Sequence, residues 1–230
     1  METPKENMPK YNTDATKPTV LWRYIASCIG SKILKDPKLY IYCLAQSLLL
    51  LAMYIPLDFL PELMVRKHNI SHIRAGYTIT LFGVGTIFGR IAPGIITSCV
   101  KNSSMVICVS NVVFLGIGSL LYVFCETYIH FDVLSGINGI FFGAAYVVIP
   151  LTLLDLFGVE AIRDTYGMVM LFCLVTVTFG IPLVGKLIHI YGEVFAFSAT
   201  SGLYFTTALL CFLVLFLHCN KIKSSKSNNI

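Results

Sequence analysis

An all-α integral membrane fold, a bundle of six transmembrane helices, is what three observations predict. Hydrophobic residues make up 56% of the chain and charged residues only 13%, too little charge to cover a water-soluble domain of this length. The apolar residues also gather into long blocks, each close to the ~20 residues that cross a hydrocarbon core. Finally, those blocks show no alternation at period two, the mark of a membrane barrel, so their backbone groups must be satisfied within helices.

The elements follow in order. Residues 1–38 are polar and basic, carrying Lys5, Lys10, Lys17, Arg23, Lys32, Lys35 and Lys38, and they lack the early apolar core of a secretory signal. Inside this segment Val20–Ile33 is mixed. Trp22 and Tyr24 beside Arg23 suit a stretch lying on the membrane surface, and a cytosolic linker with an incidental helix fits the same residues. The spans are read as Leu39–Leu60, Ala75–Cys99, Met105–Cys125, Phe131–Leu154, Tyr166–Ile188 and Val194–Cys219. Residues 39–219 are therefore the bundle, and 220–230 a short basic tail with Lys221, Lys223 and Lys226.

Basic residues set the expected orientation. With six spans both termini share a side, and that side also holds Lys101 and Arg163, against Arg66, Lys67, Arg74 and Lys186 on the other. The excess of Lys and Arg predicts a multi-pass protein with both termini cytoplasmic. The sequon Asn69-Ile70-Ser71 then falls outside, where it can be glycosylated, and Asn102-Ser103-Ser104 falls inside and stays bare.

The eight cysteines form no Cys-x-x-Cys pair, and those inside spans (Cys43, Cys108, Cys173, Cys211) read as small, polarisable packing residues. His68 and His72 have helical spacing but no third ligand nearby, so a solvated loop is preferred to a metal site. No metal, cofactor or nucleic-acid partner is expected. Intramembrane hydrolysis needs paired catalytic groups such as His-x-x-x-His, Gly-x-Ser-x-Gly or two spanning aspartates, and none is present; Asp58, Asp155 and Glu126 read as residues near span ends. An enzyme is not predicted.

Charge inside the membrane is more informative. Arg90 lies deep in the second span, in Gly89-Arg90-Ile91-Ala92-Pro93-Gly94, where an arginine is unfavourable by about 2.5–3.5 kcal/mol unless it meets a partner or water. One reading is a fixed positive charge that attracts an anion; the other is a structural arginine snorkelling or bonding to carbonyls. It lies roughly 15 Å from the span's inner end at helical rise, and snorkelling covers only part of that, which favours the anion. Gly85 with Gly89, and Gly139 with Gly143, make small-xxx-small pairs that let helices approach closely. Pro56, Pro61, Pro93, Pro150 and Pro182 fit kinked helices.

In order along the chain, these residues resemble the C-terminal half of the monocarboxylate transporters, a branch of the major facilitator superfamily. Lys35-Asp36-Pro37 is similar to the end of that family's central loop, and Tyr54-Ile55-Pro56 to Leu60-Pro61-Glu62 to its seventh helix. Gly89-Arg90 resembles its eighth helix, Gly136 to Phe142-Gly143 with Asp155-Leu156-Phe157-Gly158 and Gly167 its tenth helix and following loop, and Gly180-Ile181-Pro182-Leu183 with Gly185-Lys186-Leu187 and Tyr191-Gly192 its eleventh. The resemblance implies transport of small organic anions, monocarboxylates above all, by symport across the plasma membrane. It implies that Arg90 pairs with the substrate and that Phe142 shapes the pocket, with Tyr146 one turn on offering a hydroxyl.

Two departures qualify it. Where proton-coupled members carry an aspartate one turn before the arginine, this chain has Thr86, which carries no proton at physiological pH; exchange, sodium coupling or another substrate then come into play. The other six helices are also absent, although in this superfamily the substrate sits between two halves. Three accounts follow: a piece of a twelve-helix transporter, a homodimer that builds a pathway from two copies, or a non-transporting membrane protein that serves as a partner-binding or accessory subunit. Besides the lipid bilayer and an anion, the expected partner is thus a second six-helix half or a second copy.

Overall fold

The computed structural model describes residues 36–99 and 103–227; the readings made for Val20–Ile33, Lys101 and Asn102 lie outside the described residues. The described chain is helical throughout, with six long apolar helices and no strand among the described residues, as composition and block length require. They are α1 (Pro37–His68), α2 (His72–Cys99), α3 (Ser104–Leu121), α4 (Tyr128–Phe157), α5 (Ile162–Tyr191) and α6 (Glu193–Ser227). Single 3₁₀ turns, Tyr122–Phe124 and Val159–Ala161, extend α3 and introduce α5.

Local chemistry explains the ends. Asp36 caps α1 by accepting a hydrogen bond from the Lys38 amide at 3.1 Å, and Pro37 occupies the first turn, where its missing N–H is no loss. Asn69 closes α1 in the left-handed region (φ 52°) and its amide donates to the Met64 carbonyl, a conformation asparagine tolerates better than most residues. Gly158 and Gly192 terminate α4 and α5 at φ 81° and 84°, which side chains disfavour. Several helices outrun the blocks read from hydropathy. The first runs from Pro37 to His68, because polar residues such as Glu62 and Arg66 continue a helix once it has started. The five prolines also lie inside uninterrupted helices. His68 and His72 are the last residue of α1 and the first of α2; the His68 ring packs edge-on against Phe131 at 5.3 Å and is half-buried, and His72 is exposed.

The helices neighbour one another in the order α2, α4, α3, α6, α1, α5. The tightest contact, α2 on α4, is made of glycine. A Cβ at Gly89 would collide with the Ile140 carbonyl, one at Gly143 with that of Thr86, and one at Gly139 with that of Phe82. The two small-residue pairs thus face each other's backbones. Elsewhere polar side chains tie helix to helix: Tyr42 donates to the Ile149 carbonyl (3.2 Å), Asn111 to that of Phe141 (2.9 Å), Ser201 to that of Gly116 (2.9 Å) and Tyr204 to that of Ala52 (3.1 Å). In a medium where apolar contact alone brings no net gain, such bonds and close packing hold the bundle. Apolar side chains fill the remaining space, with Leu49, Met53, Phe82, Val112, Phe142 and Cys211 at its centre. Cys43, Cys108, Cys173 and Cys211 are buried free thiols.

Burial is uneven. In the most apolar stretch of each helix, 50% of residues are buried for α1 and 44% for α4, but 22% for α2 and 11% for α5. Each of these two helices touches the bundle along one side and leaves the other uncovered.

Candidate substrate site

Arg90 projects from α2 and is exposed, while Gly89 beside it is buried against α4. Successive helical residues are turned by about 100°, so a face used up in packing leaves its neighbour on the flank. Among the described residues no carboxylate lies within ion-pairing distance of the guanidinium; the ion pairs found are Glu62–Arg66 and Arg163–Asp164. Thr86, one turn earlier, is half-buried and its hydroxyl donates to the Gly83 carbonyl at 2.7 Å. That hydroxyl is engaged by its own helix.

From α4, Tyr146 comes close enough to Arg90 to feel its charge. Its hydroxyl donates to that of Tyr54 on α1, at a long 3.5 Å, a weak bond by the geometry of O–H donors and one that a better acceptor would displace. Phe142 stands behind this pair. It is 8% exposed, packs edge-on against Phe82 at 4.9 Å and lies 5.3 Å from the Tyr146 ring. The space it lines is an internal void of about 10 Å³ shared with Met53, Leu115 and Tyr204, no larger than one water needs. Phe142 thus buttresses Tyr146 from the core, while Arg90, Thr86 and Tyr146 reach the uncovered side.

On α1, two residues to which sequence reading assigned no site role share one helix face. Tyr54 is the acceptor for Tyr146. Asp58, one turn further along α1, is exposed. The available signal was their i, i+4 spacing, which puts both on one helix face. Among the described residues no group of three metal-ligating side chains occurs.

No family model matches the chain. Its sequence is 27% identical over 156 residues to monocarboxylate transporter 2 of Mus musculus, covering 66% of this chain and 32% of that protein. It is 24% identical over 175 residues to monocarboxylate transporter 1 of Bos taurus (75% and 35%) and 25% identical over 155 residues to that of Rattus norvegicus (66% and 31%). The chain is similar to the monocarboxylate transporters. It matches about a third of the length of each of these relatives. Six apolar helices and monocarboxylate transporter relatives together make this a multi-pass membrane protein. These relatives are named as transporters, and Arg90 stands without a carboxylate partner among the described residues.

Proposed function

We propose that this chain carries small organic anions, monocarboxylates in the first place, across the plasma membrane as part of a secondary transporter, with Arg90 as the substrate-pairing charge. The observation that carries this reading is an arginine inside a span, exposed and without a carboxylate partner among the described residues. A cation placed there is expensive unless it serves a ligand or a water-filled path. Guanidinium offers a planar fork that holds a carboxylate through two parallel hydrogen bonds. The Tyr54 and Tyr146 hydroxyls supply further donors on the same side, and Phe142 keeps Tyr146 in place.

The uncovered sides of α2 and α5 need cover in a working transporter, and a second six-helix half, or a second copy, is the cover we infer. Both termini face the cytoplasm in this arrangement, following the basic-residue bias.

The test is uptake of a labelled monocarboxylate by the complete transporter, this chain together with its second half or copy, normalised to surface protein. Arg90→Gln is expected to lower uptake at least tenfold with surface expression near normal. Arg90→Lys should rescue little of it, because an ammonium is a compact point charge without the fork. Uptake by Arg90→Gln equal to the parent's would refute the assignment.

A further inference from the structure

The seam between α2 and α4 has a second side. The two helices run in the same direction, Thr78 meeting Asp132 near their starts and Gly89 meeting Ile140 further on. At about 100° per residue, Arg90 is turned to one side of Gly89 and Phe88 to the other. On α4, Tyr146 and Ile140 stand three residues either side of Gly143, about 60° to opposite flanks. Because the helices are parallel, Arg90 and Tyr146 share one side of the seam, and Phe88 and Ile140 share the other.

A groove of about 410 Å³ opens on the Phe88 side, a size within the range of small-ligand clefts. Gly85 and Gly136 form its floor, and a Cβ on Gly136 would meet nothing. Leu81, Val84 and Phe88 wall it from α2, and Val133, Ile137 and Ile140 from α4, all of them exposed. Asp132 lines one end and accepts a hydrogen bond from Thr78; a carboxylate has lone pairs for further donors. The 30 residues of α4 make it roughly 45 Å long against a core of ~30 Å. With the excess shared, about 7 Å projects at each end, and Asp132, four residues past Tyr128, stands at that boundary. Arg74, placed over the Tyr128 ring at 4.3 Å, marks the same end with an interfacial pair. From Asp132 to Ile140 the groove then runs inward for about 12 Å at helical rise.

We propose that this groove binds a membrane sterol, its fused rings lying over Gly85 and Gly136 and its hydroxyl donating to Asp132. The second half or copy inferred above covers the Arg90 side, which leaves the groove to the bilayer; the proposal rests on that reading for this one step. Among bilayer components a sterol is the one that the groove's chemistry selects. It places a lone hydroxyl donor at the interface and an apolar body below it, matching a carboxylate at one end of an apolar trough. A phospholipid would bring its phosphate against Asp132, like charge against like. Its flexible chains would also lose conformational freedom on ordering, a cost that a rigid ring system does not incur. Arg74, Tyr77 and Leu81 lie on the Phe88 flank of α2 and follow the basic, tyrosine and aliphatic spacing proposed for sterol contact, a pattern too common to carry the assignment alone.

The experiment places the full chain in lipid nanodiscs with a sterol carrying a diazirine on its rings, irradiates it, and reads the labelled residues by mass spectrometry. The expected result is label on residues 81–88 and 133–140, reduced several-fold by excess unlabelled sterol and far less by the epimer whose hydroxyl is inverted. Gly136→Phe fills the groove from a position where a Cβ meets nothing and should lower the label several-fold. Gly83→Phe, equally unobstructed but on the Arg90 side, should leave it unchanged. Asp132→Ala should erase the preference between epimers. Equal competition by both epimers on the unaltered chain overturns the proposal, as does label that Gly136→Phe leaves unchanged. Displacement by phospholipid as readily as by sterol would make the groove a seat for annular lipid, and label confined to discs holding a single copy would make a second copy the occupant; either result overturns it too. Should Gly136→Phe not be recovered folded, the epimer comparison on the unaltered chain decides. If Arg90→Gln transports like the parent while the groove labels as expected, the anion assignment falls and the sterol site stands.

Discussion

Helix α2 has two sides built on opposite principles. Toward α4 it presents Gly85 and Gly89, and carbonyl oxygens of Gly136 and Ile140 occupy the space a side chain would take; in return Gly139 and Gly143 accept the carbonyls of Phe82 and Thr86. Such contacts bring Cα–H groups against carbonyl oxygens, a weak but repeated attraction, and leave no room for adjustment. Toward the uncovered side the same helix carries Arg90, which no carboxylate among the described residues neutralises. The closed side sets the position of Arg90 within the bundle; the open side leaves the guanidinium free to meet something else. Rigid support for an unsatisfied group is what a binding site requires.

The largest effect is expected at the closed side. Gly143→Leu or Gly89→Leu should exceed the roughly 1–3 kcal/mol typical of overpacking, since a helix carbonyl cannot swing away as a side chain does. Folded protein recovered in detergent should fall sharply. Gly136→Ala is the control on the same helix: a Cβ there meets nothing, and recovery should match the parent's. Equal recovery of the Gly143 and Gly136 variants would mean that α2 and α4 do not meet backbone to backbone.

A smaller loss is expected where polar glue takes over from glycine. Asn111→Ala removes the bond to the Phe141 carbonyl and should cost about 0.6–2 kcal/mol, the range of interhelical bonds in membranes. Thermal unfolding in detergent would show it as a modest fall in midpoint, and an unchanged midpoint would place that bond among the dispensable ones. The smallest change is expected on the open side. Tyr54→Phe deletes the weak 3.5 Å acceptor of Tyr146 and should leave stability within about 0.5 kcal/mol, raising the substrate concentration for half-maximal uptake only a few-fold. A large loss of folded protein would show Tyr54 to be structural.

Much of the architecture could be read from residues alone. Six apolar blocks became six helices because length and the need to satisfy backbone groups in lipid leave no alternative. Gly85 with Gly89 and Gly139 with Gly143 announced close approach through their spacing, and Asp36-Pro37 announced a helix start. Arg90 stood out because an arginine in a span is costly wherever it points.

Other features were decided only by the folded chain. Hydropathy placed the end of the first span at Leu60; α1 continues to His68 because helical hydrogen bonds persist into polar sequence. That Gly139 and Gly143 oppose Phe82 and Thr86, that Phe142 is turned into the core while Tyr146 reaches Tyr54, and that α2 and α5 keep one side uncovered all depend on helix rotation. An α-helix turns by about 100° per residue, and sequence periodicity is faint in helices that are apolar nearly all round. Membrane composition thus determined how many helices there are and which residues are unusual within them, while packing between helices determined which of those residues meet.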